Sequence, residues 1–379
     1  MSGAPFDVAV AGGGPAGLAA ACAAAMAGLR VVVLERRALP ADKACGEGLL
    51  PKAVESLAAL GALDHLDRAG CAPFSRLRWI QEDGSSAEAR LPAPGGLGVR
   101  RLALSAALGR RAVELGVEVR DRSEVVAHRR EPDRVVLQTD AGEVVARMLV
   151  AADGLSSPIR RREGLDLRAA GPRRFGLRRH HAVAPWADAV EVHFARGVEA
   201  YLTPAGPGRV GLAFLFEEGE PADADALLAR FPILAARLGG APAETRPLGA
   251  GPLARRARAR VADRLALVGD AGGYLDAITG EGLSLAFEGA LALGRILPEA
   301  LARGAGRDAL RPYEREVEGS YRRYAAVTRL VLAMARRPRL RRSVLRRLGR
   351  HPRLFERLVA AAVGPGGKGT PSPPARPGG

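Results

Sequence analysis

The stretch "FDVAVAGGGPAGLAAACAAAMAGLRVVVLE", residues 6–35, restricts what this chain can become more than any other segment. Val8 to Ala11 is an unbroken apolar run suited to a buried strand, and Val31 to Leu34 is a second, β-branched one. Between them Pro15 to Ala27 is alanine-rich and helix-forming, so the segment reads as strand, turn, helix, strand. The turn carries Gly12, Gly14, Ala16 and Gly17. That spacing provides a tight bend, a bare backbone that a pyrophosphate can approach, and close packing of helix on strand. Amides at the helix start then face the phosphates. Glu35 ends the second strand, where a carboxylate accepts hydrogen bonds from a ribose, and Arg36 follows it. The pattern predicts a dinucleotide site without separating FAD from NAD.

The same segment resembles a leader peptide or a membrane span in its apolar character. It lacks a basic start, carries Asp7 at its front, and is broken by the glycine turn and by Arg30, so neither is expected. A chain of 379 residues suffices for one large domain or for two that share a core. Cys22, Cys45 and Cys71 are too few and too irregularly spaced for a disulfide framework or a zinc site. That usage points to a reducing cytoplasm and to no metal. The net charge of +16 would suit nucleic acid, but its arginines are scattered throughout, aromatics make up only 4%, and no nucleic-acid-binding motif is present. Nucleic acid is not an expected partner.

Further along, Leu102 to Leu115 has helical apolar spacing and stops at Gly116. Val117 to Val119, Glu124 to Ala127, Val135 to Thr139 and Val144 to Ala151 read as strands. From Arg174 to Glu217 the alternating segments "AVEVHFA", "EAYLTP" and "VGLAFLF" predict a second sheet. "DRLALVGDAGG" then restores the strand-into-glycine pattern, with helices over Glu281 to Leu297 and Leu310 to Arg336. The chain is expected to leave its first domain and come back to it.

Three segments carry a family resemblance. "AADGLSSPIRR", residues 151–161, resembles the Asp–Gly motif of FAD oxidoreductases of the aromatic-hydroxylase type. "LVGDAGGYLDAITGEGLSLAFEGA", residues 267–290, is similar to their Gly–Asp motif and the glycine loop after it. "RRLALSAAL", with Arg101 and Leu108, is similar to their Arg–x–x–Phe–Asp–x–x–Leu segment, with Leu104 and Ser105 standing for the Phe and Asp. Within that superfamily, "CGEGLLP" together with "LDAITGEG" most resembles the geranylgeranyl-reductase branch.

The resemblance implies an α/β fold: a Rossmann-like FAD-binding domain with an inserted β-rich substrate domain and C-terminal helices. The expected division is 1–165 and 258–335 for the FAD domain, 166–257 for the substrate domain, 336–363 for the helices and 364–379 for a disordered tail. It further implies extended FAD, with Asp153 in the Asp–Gly motif and Asp270 on a ribityl hydroxyl. Gly282 and Leu283 would present backbone to the isoalloxazine, and Arg101 and Val125 would lie along the nucleotide. Amides at a helix start suit the negative charge of a reduced flavin. By position Cys45, Gly46 and Gly48 would bring small side chains and bare backbone against the ring.

Cys45 is the candidate catalytic residue, activated by Lys43, or else a small residue packed on the ring. Glu47 and Asp276 are further candidate acids, expected as exposed loop carboxylates whose alternative is to cap helices or pair with arginines. His180, His181 and His193 either serve the substrate or are satisfied structurally. Tyr201 and Pro204 match the edge of the family's substrate sheet, and Trp186 is either packing or pocket wall.

Gly273 and Ala277 replace the histidine and proline of the phenol hydroxylases, and the Trp-x-Trp-x-Ile-Pro segment of the tryptophan halogenases is absent. No second glycine fingerprint exists, so NAD(P)H is expected only as a transient electron donor. The expected activity is an NAD(P)H-dependent monooxygenase of an apolar small molecule. A reductase of isoprenoid double bonds and a flavin-binding scaffold without turnover are the alternatives. The segment "ARRPRLRRSVLRRLGRHPRLFERLVAAAVG" sets leucines among arginines at helical spacing. It predicts either peripheral contact with an acidic membrane or terminal helices packed on the body.

Overall fold

The computed structural model describes residues 5–169 and 171–363; the tail expected at 364–379 lies outside them. The strand Phe6–Ala11 is central because it is apolar on both faces, and it pairs in parallel with Gly142–Ala151 on one side and Val31–Leu34 on the other. Glu118–Arg120 extends the sheet beyond Val31–Leu34, and Leu265–Leu267 extends it beyond Gly142–Ala151, both in parallel. The segment after residue 257 thus returns to the first sheet. Val125–Arg130, Val135–Thr139 and Gly142–Ala151 form an antiparallel meander on that edge.

One face of this sheet is covered by helices Pro15–Met26, Arg101–Glu114 and Gly282–Ala302. Small residues set their approach: a Cβ on Gly294 would lie 2.7 Å from the Cβ of Ala23, so helices Pro15–Met26 and Gly282–Ala302 touch almost backbone to backbone. The alanine-rich character of the first helix follows from that closeness, since larger side chains would hold the helices apart.

The second sheet has seven strands in the order Leu248–Ala250, Arg174–His181, Val210–Glu217, Val198–Pro204, Ala189–Ala195, Arg76–Ile80, Ser86–Arg90. Two of these, Arg76–Ile80 and Ser86–Arg90, come from outside the 166–257 stretch expected for the substrate domain. Arg76–Ile80 joins in parallel with Ala189–Ala195, and a parallel partner so distant in the chain leaves no local turn signal to read. The period of two divides the sheet's faces. Val198, Ala200 and Leu202 pack on the short helices Ala224–Leu228 and Pro232–Leu238, while Trp79, Val192 and Tyr201 face the other way.

Helix Arg307–Ala335 leads into Pro338–Arg350 and Pro352–Val363, which lie against Ser86–Arg90 and that second face. Arg341 fixes them. It is fully buried, donates to the Oε1 of Gln81 at 2.9 Å and to the carbonyl of Ala335 at 2.9 Å, and lies over the Phe194 ring. No helix among the described residues is long and apolar enough to cross a membrane.

Candidate active site

The two sheets and the C-terminal helices enclose a cavity of about 1140 Å³, more than one drug-sized ligand fills. Its first end lies at the glycine turn. Gly12 adopts φ +109°, and a Cβ there would meet the Ala152 carbonyl oxygen at 2.5 Å. Gly14 and Ala16 line the cavity, whereas Gly17 does not: a Cβ on Gly17 would fall 1.8 Å from the Gly12 carbonyl oxygen, so this glycine serves the packing behind the turn. No side chain caps the helix that starts at Pro15, so its first amides are left for a ligand.

Buried Glu35 accepts from the Gly13 amide at 2.7 Å and the Arg37 amide at 3.0 Å, and it lines the cavity beside Arg36, Ser123 and Val125. Arg101 and Asp153 also line it. The Nε of Arg101, the Oγ of Ser123 and the Oδ1 of Asp153 are buried without a hydrogen-bond partner. Unpaired polar atoms in one wall are costly unless a polar ligand satisfies them. Burial holds the Asp153 carboxyl above its usual range, against hydrogen bonds from Ser157 and the Ile159 amide.

The middle of the cavity is framed by Lys43, Cys45, Gly46, Glu47 and Gly48 on one side and Asp270, Gly280, Glu281, Gly282 and Leu283 on the other. Lys43 Nζ stands 3.8 Å from the Asp270 carboxylate. The sulfur of half-buried Cys45 accepts from the Glu47 amide at 3.4 Å. Helix Gly282–Ala302 begins here without a side-chain cap, so its free amides face the same space. Glu281 precedes it, and burial pushes its carboxyl up to about 7, against the attraction of Lys52.

Glu47 and Asp276 are buried, contrary to the exposed loop positions expected of them. Each is drawn inside by a cation from the second sheet. Glu47 Oε2 lies 2.5 Å from His180 Nε2, its Oε1 accepts from the Arg101 amide at 2.8 Å, and Arg178 stands 3.7 Å away. Asp276 pairs with Arg174 at 2.9 Å, and Arg174 also pairs with Glu199. Desolvation holds the Asp276 and Glu199 carboxyls above their usual range in spite of Arg174. These pairs lock the second sheet, which roofs the cavity, to the loops that carry Glu47 and Asp276.

His180, His181 and His193 are all satisfied inside the fold and do not line the cavity: His181 meets the Ala241 carbonyl at 3.0 Å and His193 meets Glu191 at 3.2 Å. Trp186 packs with the core on the far face of the sheet and does not line the cavity. Tyr201 does line it and donates to the Ile278 carbonyl at 2.8 Å, while Pro204 does not line it, its carbonyl lying 1.7 Å from where a Gly98 Cβ would sit.

Sequence reasoning missed two contributions. Arg160 is buried and donates to the carbonyls of Leu155 at 2.8 Å and Ala271 at 2.9 Å, tying the Asp–Gly loop to the Gly–Asp loop. Its signal was the arginine pair that closes "AADGLSSPIRR". The cavity's other end is also an unforeseen wall. Leu77, Trp79, Val192, Leu215, Val331, Met334, Val344, Leu348, Phe355 and Val359 make an apolar arm between the second sheet and the C-terminal helices.

A glycine cradle, two uncapped helix starts and three orphaned polar atoms fit an extended dinucleotide, with an apolar space left beside it. Fold and site together define a dinucleotide-binding α/β protein with an apolar space beside the cradle. Residues 5–213 match the FAD binding domain family, and the chain belongs to that family. It is similar to the menaquinone reductase of Mycobacterium tuberculosis, 30% identical over 334 residues, covering 79% of this chain and 81% of the relative. It is also similar to digeranylgeranylglycerophospholipid reductase 2 of Methanopyrus kandleri, 33% identical over 332 residues, covering 80% and 78%. These relatives bear out the geranylgeranyl-reductase resemblance. A flavoprotein/dehydrogenase from Cytophaga hutchinsonii shares the fold, with a TM-score of 0.82 at 20% identity over 95% of this chain and 93% of that one.

Proposed function

We propose that the protein reduces a carbon–carbon double bond in a long apolar, isoprenoid-type molecule. The observation that carries this reading is the continuity of the glycine-lined dinucleotide end with the apolar arm in one cavity. A substrate in the arm would meet the flavin ring without crossing water. The names of the two reductase relatives point to substrates of that kind.

Bound FAD would supply the hydride, with NAD(P)H as the transient source of its electrons. The chain's own residues supply the rest. Gly12, Gly14, Ala16, Glu35, Arg36, Arg101, Val125 and Asp153 would hold the nucleotide, with Gly17 packing behind them. Cys45, Gly46, Gly48, Asp270, Gly282 and Leu283 would surround the ring. Hydride addition to one alkene carbon leaves the other in need of a proton. Glu281, a carboxyl held near neutrality at the ring end of the cavity, is suited to deliver it. Cys45 is the second candidate, within the same frame.

The test is to reduce the FAD-loaded protein without oxygen and add geranylgeraniol. Return of the oxidised flavin spectrum together with a product gaining two hydrogens supports the reading. Reduced flavin that persists without oxygen, with a product gaining one oxygen atom once air is admitted, replaces it with the monooxygenase reading.

A further inference from the structure

The apolar arm opens to the surface through leucines, and the opening is exposed in a way a water-facing wall ordinarily is not. Leu330 is 72% exposed, Leu340 45% and Leu358 53%, yet all three line the cavity. They come from three successive helices, Arg307–Ala335, Pro338–Arg350 and Pro352–Val363, which meet at that opening. Leu354, 42% exposed, lies one turn from Leu358 and widens the apolar rim. Among the described residues, half of the eight most exposed large apolar side chains therefore stand on these three helices. Contiguous exposed apolar side chains with a polar surround mark a contact surface.

The surround is cationic. Helix Pro338–Arg350 carries six arginines and no acid; Arg341 is buried and Arg342 and Arg346 face Asp83, while Arg339, Arg347 and Arg350 are exposed. Arg347 follows Leu340 by two helical turns on the same face, and Arg350 continues that line. Arg357 lies one turn from Leu354 on the next helix. The 16 residues that follow Val363 contain only Gly, Pro, Ala, Ser, Thr, Lys and Arg, and so bring no large apolar side chain to cover the leucines.

We propose that this opening docks on an anionic lipid bilayer, so that a lipid-soluble substrate passes laterally from the membrane into the arm. Leucines at the acyl boundary with arginines at the headgroup level are the arrangement by which a helix lies in an interface without spanning it. The proposal rests on the reductase reading for the identity of the passenger, and on the rim geometry alone for the docking.

The experiment floats the FAD-loaded full chain with vesicles of phosphatidylcholine alone or mixed with phosphatidylglycerol. Binding is expected to the mixed vesicles and to weaken as salt is raised. The triple variant R347Q/R350Q/R357Q is expected to bind about fivefold more weakly for each arginine removed. Leu354→Ser is expected to weaken binding about tenfold. Neither change touches the cavity wall, so flavin content and turnover of the short soluble alkene geraniol should stay as they are.

Failure to float at physiological salt, with geraniol turnover intact, overturns the docking and leaves the reductase reading standing. Floating that depends on these residues, with no alkene reduced, upholds the docking and rejects the reductase reading. A concentration-dependent dimer that Leu354→Ser dissociates, with no vesicle binding, assigns the rim to a second copy and overturns the proposal.

Discussion

The two ends of the cavity are made of different material. The dinucleotide end is largely backbone: Gly12 and Gly14, two helix starts without side-chain caps, and a few polar groups awaiting partners. The apolar arm is almost entirely side chain, gathered from the roof sheet and three late helices. Backbone recognition tolerates no change in shape, because an added Cβ occupies the space of the ligand or of a neighbouring carbonyl. Side-chain recognition is graded, since each apolar contact contributes a little and its loss is partly absorbed by repacking. Substitutions at the two ends should therefore differ in kind.

The largest effect is expected at the glycine turn. Gly17→Ala places a methyl 1.8 Å from the Gly12 carbonyl oxygen, which forces strand and helix apart at a cost of about 3 kcal/mol or more. Loss of bound flavin absorbance with a lowered melting temperature is the expected result. Full FAD occupancy in that variant breaks the contrast at its root.

Next comes Glu281, which sharpens the comparison because it is a side chain at the backbone-built end. Its buried carboxyl rises from 4.5 to about 7, so between those pH values the folded chain keeps a proton that the unfolded chain has released. The associated stability is complete below the lower value and is lost as pH rises through about 7, on the order of 3 kcal/mol in all. Glu281→Gln is expected to flatten the fall in melting temperature across that window. An unchanged pH profile rejects the assignment.

Arg341→Met acts behind the arm, where Arg341 braces the C-terminal helices. It leaves Gln81 Oε1 and the Ala335 carbonyl without their buried donor, at a cost of about 2 kcal/mol. Apolar ligand binding should weaken while the FAD dissociation constant holds, which equilibrium titration of each ligand can read. Equal losses at both ends mean that arm and cradle are one cooperative unit. The smallest change is Tyr201→Phe, which removes one hydrogen bond to Ile278 and about 1 kcal/mol from the junction of roof and ring loop, measurable by urea denaturation.

The same contrast decides what the sequence discloses. The glycine turn, Glu35 and the return at Asp270 are legible because the chemistry of a backbone cradle is local: it requires particular residues at fixed short spacings. The strand at Val135–Thr139 and the helix starting at Arg101 were visible for the same reason, as periodic runs with clear ends. The arm was hidden because Trp79, Val192, Met334 and Phe355 become neighbours only through tertiary pairing. Arg76–Ile80 escaped notice because its partner strand begins at Ala189. Glu47 and Asp276 looked solvent-exposed because their counter-cations, Arg178 and Arg174, lie far along the chain. A carboxylate's burial depends on such a partner, and no short window contains it.

The measurement that bears most directly on this two-ended cavity is the affinity of the FAD-loaded protein for geraniol, farnesol and geranylgeraniol, followed by the change in flavin fluorescence. An apolar arm continuous with the ring predicts that each added isoprene unit tightens binding by about tenfold or more. Affinity that stays flat along the series would contradict the account, because it would mean that the chain does not lie in the arm.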